Sequence, residues 1–225
     1  MKKRDLTKKV LCTVLAASVF GVFSNGVVEA ADDYIVGSDK TITGEELAGK
    51  NVIVKGNGTG PNVTVNGEYN IEKLTISGES QVVFTDGGSI NGGIETNSGI
   101  DLSLTTNNAQ IKGEVVINAG AVTFNGGTMV AKDYHQESEG KYVQDYIRVN
   151  EGSSLEANKV TITGNVIAEG TNTGGEGSII VINDSTINES EWYAQGEDYN
   201  NGLVMVDGKL LLTDILMCRL KWAVM

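Results

Sequence analysis

"VTFNGGTM", residues Val122–Met129, alternates apolar and polar side chains as far as Phe124, turns at Asn125-Gly126-Gly127 and closes on a second apolar position. The same grammar returns upstream as "VFTDGGSI", Val83–Ile90, and downstream as "IVINDSTI", Ile180–Ile187. Alternation followed by Asn, Asp or Gly, the residues that tolerate positive φ, reads as a short strand and a sharp turn. The centres Phe84, Phe124 and Ile182 are 40 and 58 residues apart, which is close to two and three units of about twenty.

Intervening segments extend the rhythm. Val65, Phe84, Leu104 and Phe124 follow one another at steps of 19, 20 and 20. An antiparallel sandwich also uses many short strands, but it needs no constant period. Coils of constant length stack each apolar residue on its equivalent in the next coil. The spacing therefore predicts an all-β chain, a right-handed single-stranded parallel β-helix of about twenty residues per coil. Val65, Phe84, Leu104 and Phe124 are expected to form one inward ladder, and a second begins with Ile76. Asn66, Asp86, Asn118, Asn125 and Asn183 recur beside inward residues and are expected in left-handed turns, with side-chain amides stacked from coil to coil. Composition agrees with strands and turns: 29 glycines and one proline in 225 residues.

The first thirty residues follow another pattern. Lys2, Lys3, Arg4, Lys8 and Lys9 precede a continuous apolar run, Val10–Phe23, and "VEA" ends at Ala30. A basic start, a short apolar core and a small-x-Ala site make a secretory signal peptide over residues 1–30, cut between Ala30 and Ala31. The rival, a membrane anchor, needs about 18 or more apolar residues. Export removes five basic and two acidic residues from totals of 17 and 29, leaving 12 and 27 and a formal charge of −15. Such a chain repels nucleic acid, whose binders need Lys and Arg to displace counterions. Only Cys218 remains, so an internal disulfide is excluded from the exported chain.

The β-helix is expected over residues 31–213, with a cap at its start. Thr43 and Glu46 have capping-box spacing, Leu47 supplies an apolar contact and Gly49 can stop a one-turn helix. Residues 214–225, "DILMCRLKWAVM", abandon the Gly/Asn/Thr grammar. They read as an aberrant or truncated tail, or as a short apolar cap over the last coil.

The leader, the "GEELAGKNVIV" opening, the coils, and the phrases "VNEGSSLEANKVTITG" and "VMVDGKLLL" resemble the β-helical passenger regions of bacterial autotransporters. The resemblance covers nearly all of residues 31–213 and is one of repeat style, without a catalytic motif. It implies a diderm cell envelope, passage through an outer-membrane translocator barrel that these 225 residues do not include, and display at the cell surface or outside the cell for adhesion. The implied partner is a surface ligand: a host glycan, a protein or another bacterial cell. A purely structural stalk is the alternative within that reading.

β-Helices also carry polysaccharide lyases and hydrolases, which gather carboxylates with Arg, Lys or His on one exposed face. After export only His135, Arg148 and Arg219 remain of the His and Arg residues, and no Asp-Asp or Gly-His-Gly constellation occurs. The chain is therefore read as no enzyme. No cofactor or metal is expected: one Cys and one His cannot make a zinc site, and neither an EF-hand loop nor a Gly-Gly-x-Gly-x-Asp repeat is present. Two polar insertions break the rhythm, residues 131–146 and 188–201. They concentrate Tyr134, Tyr142, Tyr146, Trp192, Tyr193 and Tyr199 among acidic neighbours. Loops held on a rigid scaffold are where binding concentrates, and aromatic rings supply contact area at low entropic cost. These six residues are the candidate surface-binding set, expected to leave the solenoid from one side; the bland alternative is that the rings fold back over its apolar flank.

Overall fold

In the computed structural model the described residues are 31–56, 58, 60–99, 101–132, 134–138, 141–169, 178–188, 191–195, 203–207, 211–213 and 217–218. They form a parallel β-solenoid with about 21 residues per turn. Three faces build each turn. The first face runs through Asp33–Val36, Asn51–Lys55, Lys73–Ser77, Ile94–Asn97, Val115–Ile117, Tyr146–Val149, the end of Thr161–Glu169, Glu191–Gln195 and Met217–Cys218. The second stacks Lys40–Thr43, Asn62–Asn66, Gln81–Phe84, the starts of Ser103–Lys112 and Ala121–Ala131, then Ser154–Asn158, Ile179–Asn183 and Leu203–Asp207. The third stacks Tyr69–Ile71, Gly88–Ile90, the ends of those two long strands, the start of Thr161–Glu169, Thr186–Asn188 and Leu211–Thr213.

Alternation places one set of side chains inside. Val63, Val82, Leu104, Val122, Leu155 and Ile180 are in register and buried, as are Ile71, Ile90, Ile111, Met129, Ile162 and Ile187 on the third face. These inward rows are apolar columns, so burial and backbone pairing are satisfied by the same stacking; Thr96 and Thr106 are buried polar rungs in two other rows. The three quoted segments are equivalent: Phe124 pairs with Ala157 and Ala157 with Ile182, while Val65 pairs with Phe84.

Register corrects three expectations of detail. Leu104 pairs with Val82 and Val122, so it belongs to the neighbouring column. The rung between Phe84 and Phe124 is Thr106, which pairs with Phe124 and follows Thr105, the partner of Val83. Turn lengths vary at the corners, and an averaged step of twenty slipped by two residues, which preserves the inward face and hides the error. The interval from Phe124 to Ile182 is two turns, not three, because a hairpin lies within it. The column through Ile76 begins two turns earlier, at Val36 and Val54.

Thr106 is fully buried and its hydroxyl has no hydrogen-bond partner. An orphaned buried hydroxyl costs about 1–3 kcal/mol. Thr106→Val keeps the branched shape and removes the polar atom. We expect it to raise the stability of the chain by about 1 kcal/mol, read as a shift of the denaturant midpoint; an unchanged or lowered midpoint would show that the hydroxyl is satisfied in solution.

The expected cap is a 3-10 turn, Gly44–Leu47, occupying the third-face position of the first turn. Glu46 Oε1 accepts from the Thr43 amide at 3.3 Å and hydroxyl at 3.2 Å, Leu47 is fully buried, and Gly49 follows at φ 69° with its N–H on Asn70 O. Tyr34 donates to Glu46 Oε2 at 3.1 Å and accepts from Lys40 at 2.5 Å. The Thr43 amide and then the Tyr34 hydroxyl hold the Glu46 carboxyl below its ordinary value of 4.5. Thr85, then the Gly67 amide, hold Asp86 below 3.8. A lowered folded-state pKa contributes stability that is complete above the ordinary value and is lost as pH falls through the lowered one. The thermal midpoint is therefore expected to drop between pH 5 and pH 3, and Glu46→Gln to shrink that drop; an equal drop in the variant would remove Glu46 from the account.

Candidate binding surfaces

The aromatic candidates fall in two stretches of the chain. Backbone strands Tyr134–Ser138 and Lys141–Gln144 form an antiparallel hairpin pairing Tyr134 with Gln144 and Gln136 with Tyr142. It leaves between the third face, ending at Ala131, and the first face, resuming at Tyr146. Tyr146 opens that rung, half-buried, with the Arg148 guanidinium 4.4 Å from its ring centre. In the other expected insertion the described residues 188 and 191–195 belong to solenoid strands. Glu191–Gln195 is a first-face rung in which Trp192 pairs with Val166 and Tyr193 with Ile167. Trp192 therefore occupies the row of buried Val166 and Ile147, and Tyr193 the row of Arg148. The side chains of Tyr134, Tyr142, Trp192 and Tyr193, and all of Tyr199, lie outside the described residues, as does Ala30. Ala31 does not: its carbonyl accepts from Asn51 Nδ2 at 3.1 Å, tying residue 31 to the first turn. Both stretches lie between a third-face strand and the first-face strand that follows it. Within the tail, Met217–Cys218 pairs with Glu191 and Trp192.

A second surface lies at the corner between the second and third faces, where a polar ladder runs parallel to the axis. Asn125 donates to Asn107 Oδ1 at 3.2 Å, Asn158 to Asn125 Oδ1 at 3.0 Å and Asn183 to Asn158 Oδ1 at 2.7 Å. Upstream, Thr85 lies beside Asn66 and donates its hydroxyl to Asp86 Oδ2 at 2.8 Å. A separate ladder at the end of the first face joins Asn97, Asn118 and Asn150. The expected stacking of amides is therefore real, but Asn118 belongs to a different column from Asn125 and Asn183. The left-handed residue is the one that follows: Asn108, Gly126, Lys159 and Asp184 have φ of 50°, 73°, 56° and 48°. Asn158 and Asn183 end their strands, whereas Asn107 and Asn125 sit where a long strand bends from the second face to the third; in each case the next residue takes the strained corner, where Asn, Asp and Gly are cheapest.

Outside this ladder the corner is concave. One depression of about 940 Å³ includes Gly67, Asp86, Gly87, Gly88, Asn108 and Gln110 in its lining. A second of about 700 Å³ is lined by Asn107, Asn108, Asn125, Gly126, Gly127, Asn158, Lys159, Asn183 and Asp184. They share Asn108 in their linings, and the second forms a trough over the ladder. Sequence reading missed Asn107, Asn108 and Asn158. Their signal was an Asn followed by Asn, Gly, Lys or Asp at the end of an alternating strand, in "TTNNAQ", "VTFNGG" and "LEANKV".

The outward rows of the second face beside the trough are flat and polar. Asn62, Thr64 and Asn66, then Gln81, Val83 and Thr85, then Ser103, Thr105 and Asn107, then Ala121, Thr123 and Asn125 carry no ionisable group on four successive rungs. Charge returns on the next rung of this row at Glu156, the partner of Thr123, and on the first face at Lys73 and Glu95, paired at 3.1 Å. Among the described residues no group of His, Cys, Asp or Glu side chains is placed to hold a metal.

These features define a parallel β-solenoid with a long neutral face. No protein-family model, curated protein or solved structure matches the chain.

Proposed function

We propose that the chain is an exported, surface-displayed passenger whose role is adhesion or surface interaction, without catalysis. The observation that carries this reading is the rigid stack of in-register rungs, which holds an extended neutral face and a corner trough in fixed geometry. Fixed polar groups bind without an ordering cost, which suits contact with an extended partner. The leader-like residues 1–30 support export, and the resemblance to autotransporter passengers supports display through an outer-membrane barrel. Net charge argues for partners other than nucleic acid.

The test is attachment. Bacterial or epithelial cells are incubated with the chain beginning at Ala31 and retained protein is measured, with polysaccharide cleavage assayed in parallel. Saturable retention without cleavage is the expected result. Cleavage would move the chain to the lyase or hydrolase class, and absence of retention on every surface would favour the stalk.

A further inference from the structure

We propose that the corner trough over the Asn107–Asn125–Asn158–Asn183 ladder is a binding site for a neutral, hydroxyl-rich polysaccharide lying along the solenoid axis; this rests on the adhesion reading and names the ligand class for it. The ladder has a use beyond holding turns together. Asn125 spends one amide N–H on Asn107 and receives one from Asn158. A primary amide carries a second N–H and a second lone pair. Asn158 and Asn183 direct their second N–H to Glu156 Oε1, at 3.1 and 3.4 Å, and Asn183 Oδ1 is buried, so the groups left to a ligand are those of Asn107 and Asn125, both half-exposed at the trough. These two rungs, about 4.8 Å apart as neighbouring strands are, can therefore present donor and acceptor together, with the exposed Asn108 amide beside them. A sugar hydroxyl both donates and accepts, so a chain of sugars can pair with such a floor at successive rungs.

Position and electrostatics narrow the ligand. Asn107, Asn108, Asn125, Gly126 and Gly127, the central lining, are uncharged, and they adjoin the four neutral rungs of the second face. Lys159 and Asp184 bring one charge of each sign at one end. The chain as a whole is strongly acidic. A polyanion would be repelled at long range, and a polycation would find no matching carboxylates in the central lining. Gly126 and Gly127 keep the floor open: a Cβ on Gly126 would come within 2.4 Å of Asn108 Oδ1. The exposed Asn108 amide thus forms the wall beside Gly126.

Asn108 is the residue to change, because it takes no part in the ladder bonds and its φ of 50° suits Gly and Asp. The full chain is mixed with amorphous cellulose, with insoluble mannan and with polygalacturonate, and co-sedimentation is measured against concentration. The expected result is saturable binding to at least one neutral polymer, weaker or no binding to polygalacturonate, and about a tenfold weaker half-saturation for Asn108→Gly and Asn108→Asp, whose thermal midpoints stay at or above that of the unaltered chain. Preference for polygalacturonate, no binding to either neutral polymer, or equal binding by both variants would overturn the proposal. Cell attachment separates the two readings. Attachment that survives both variants leaves adhesion standing and removes the trough, whereas loss of attachment by the unaltered chain on all surfaces removes adhesion itself.

Discussion

Phe84→Ala is expected to destabilise the chain by about 3–5 kcal/mol, the range for deleting a fully buried aromatic ring. Phe84 is completely buried in the second-face column, and its ring centre lies 4.5 Å from that of Tyr69 at 46°, an aromatic pair spanning the second and third faces. Removing it leaves Tyr69 beside a void and exposes the orphaned hydroxyl column at Thr106 to looser packing. Tyr69 has no partner for its own hydroxyl, and burial pushes its ionisation above the usual tyrosine range. Denaturant titration followed by Trp-independent circular dichroism measures the loss. Because long repeat arrays unfold in segments, amide hydrogen exchange should show the loss concentrated on the rungs carrying Val65, Phe84 and Thr106. A loss below about 1 kcal/mol would mean that the column relaxes into the space.

Gly127→Ala is expected to cost about 2–4 kcal/mol, combining a left-handed conformation with overpacking against backbone. Gly127 has φ 91°, and a Cβ there would sit 2.1 Å from Ala109 O, its in-register partner on the previous turn. The carbonyl cannot retreat without breaking its rung. The same substitution at Gly152, where φ is 72° but nothing lies within 4 Å, carries only the conformational part. The comparison of midpoints isolates the steric term; equal losses at the two positions would show that the inter-turn contact yields.

These two positions show what the sequence discloses about such a fold. Alternation around Phe84 and Phe124, with Asn or Asp and Gly-Gly beyond, was sufficient to predict a parallel solenoid, because inward apolar rows and positive-φ corners leave few other architectures. The exact columns were not legible. A rung may lengthen or shorten at a corner without altering which side chains face inward, so Leu104 was an equally good match to the count as the true occupant, Thr106. The polar character of Thr106 then concealed it. Equally, the aromatic density of residues 188–201 suggested an insertion, whereas Trp192 and Tyr193 sit on a regular rung, where strand propensity explains them as well as binding does. The trough was missed for a different reason: repeated Asn reads as turn chemistry, and only the folded stack shows that successive amides form one continuous floor.

The hairpin between Ala131 and Tyr146 separates two rungs whose pairing it leaves intact. Val115, Val116 and Ile117 meet Ile147, Arg148 and Val149 in unbroken order, and Asn150 still donates to Ile117 O at 2.8 Å across an interval that is longer than an ordinary turn. Loop-closure entropy grows only logarithmically with length. This corner is consequently a splice port: a foreign segment grafted there would be presented on a scaffold whose own reading frame of contacts does not change, so new specificity can be acquired without renegotiating the fold.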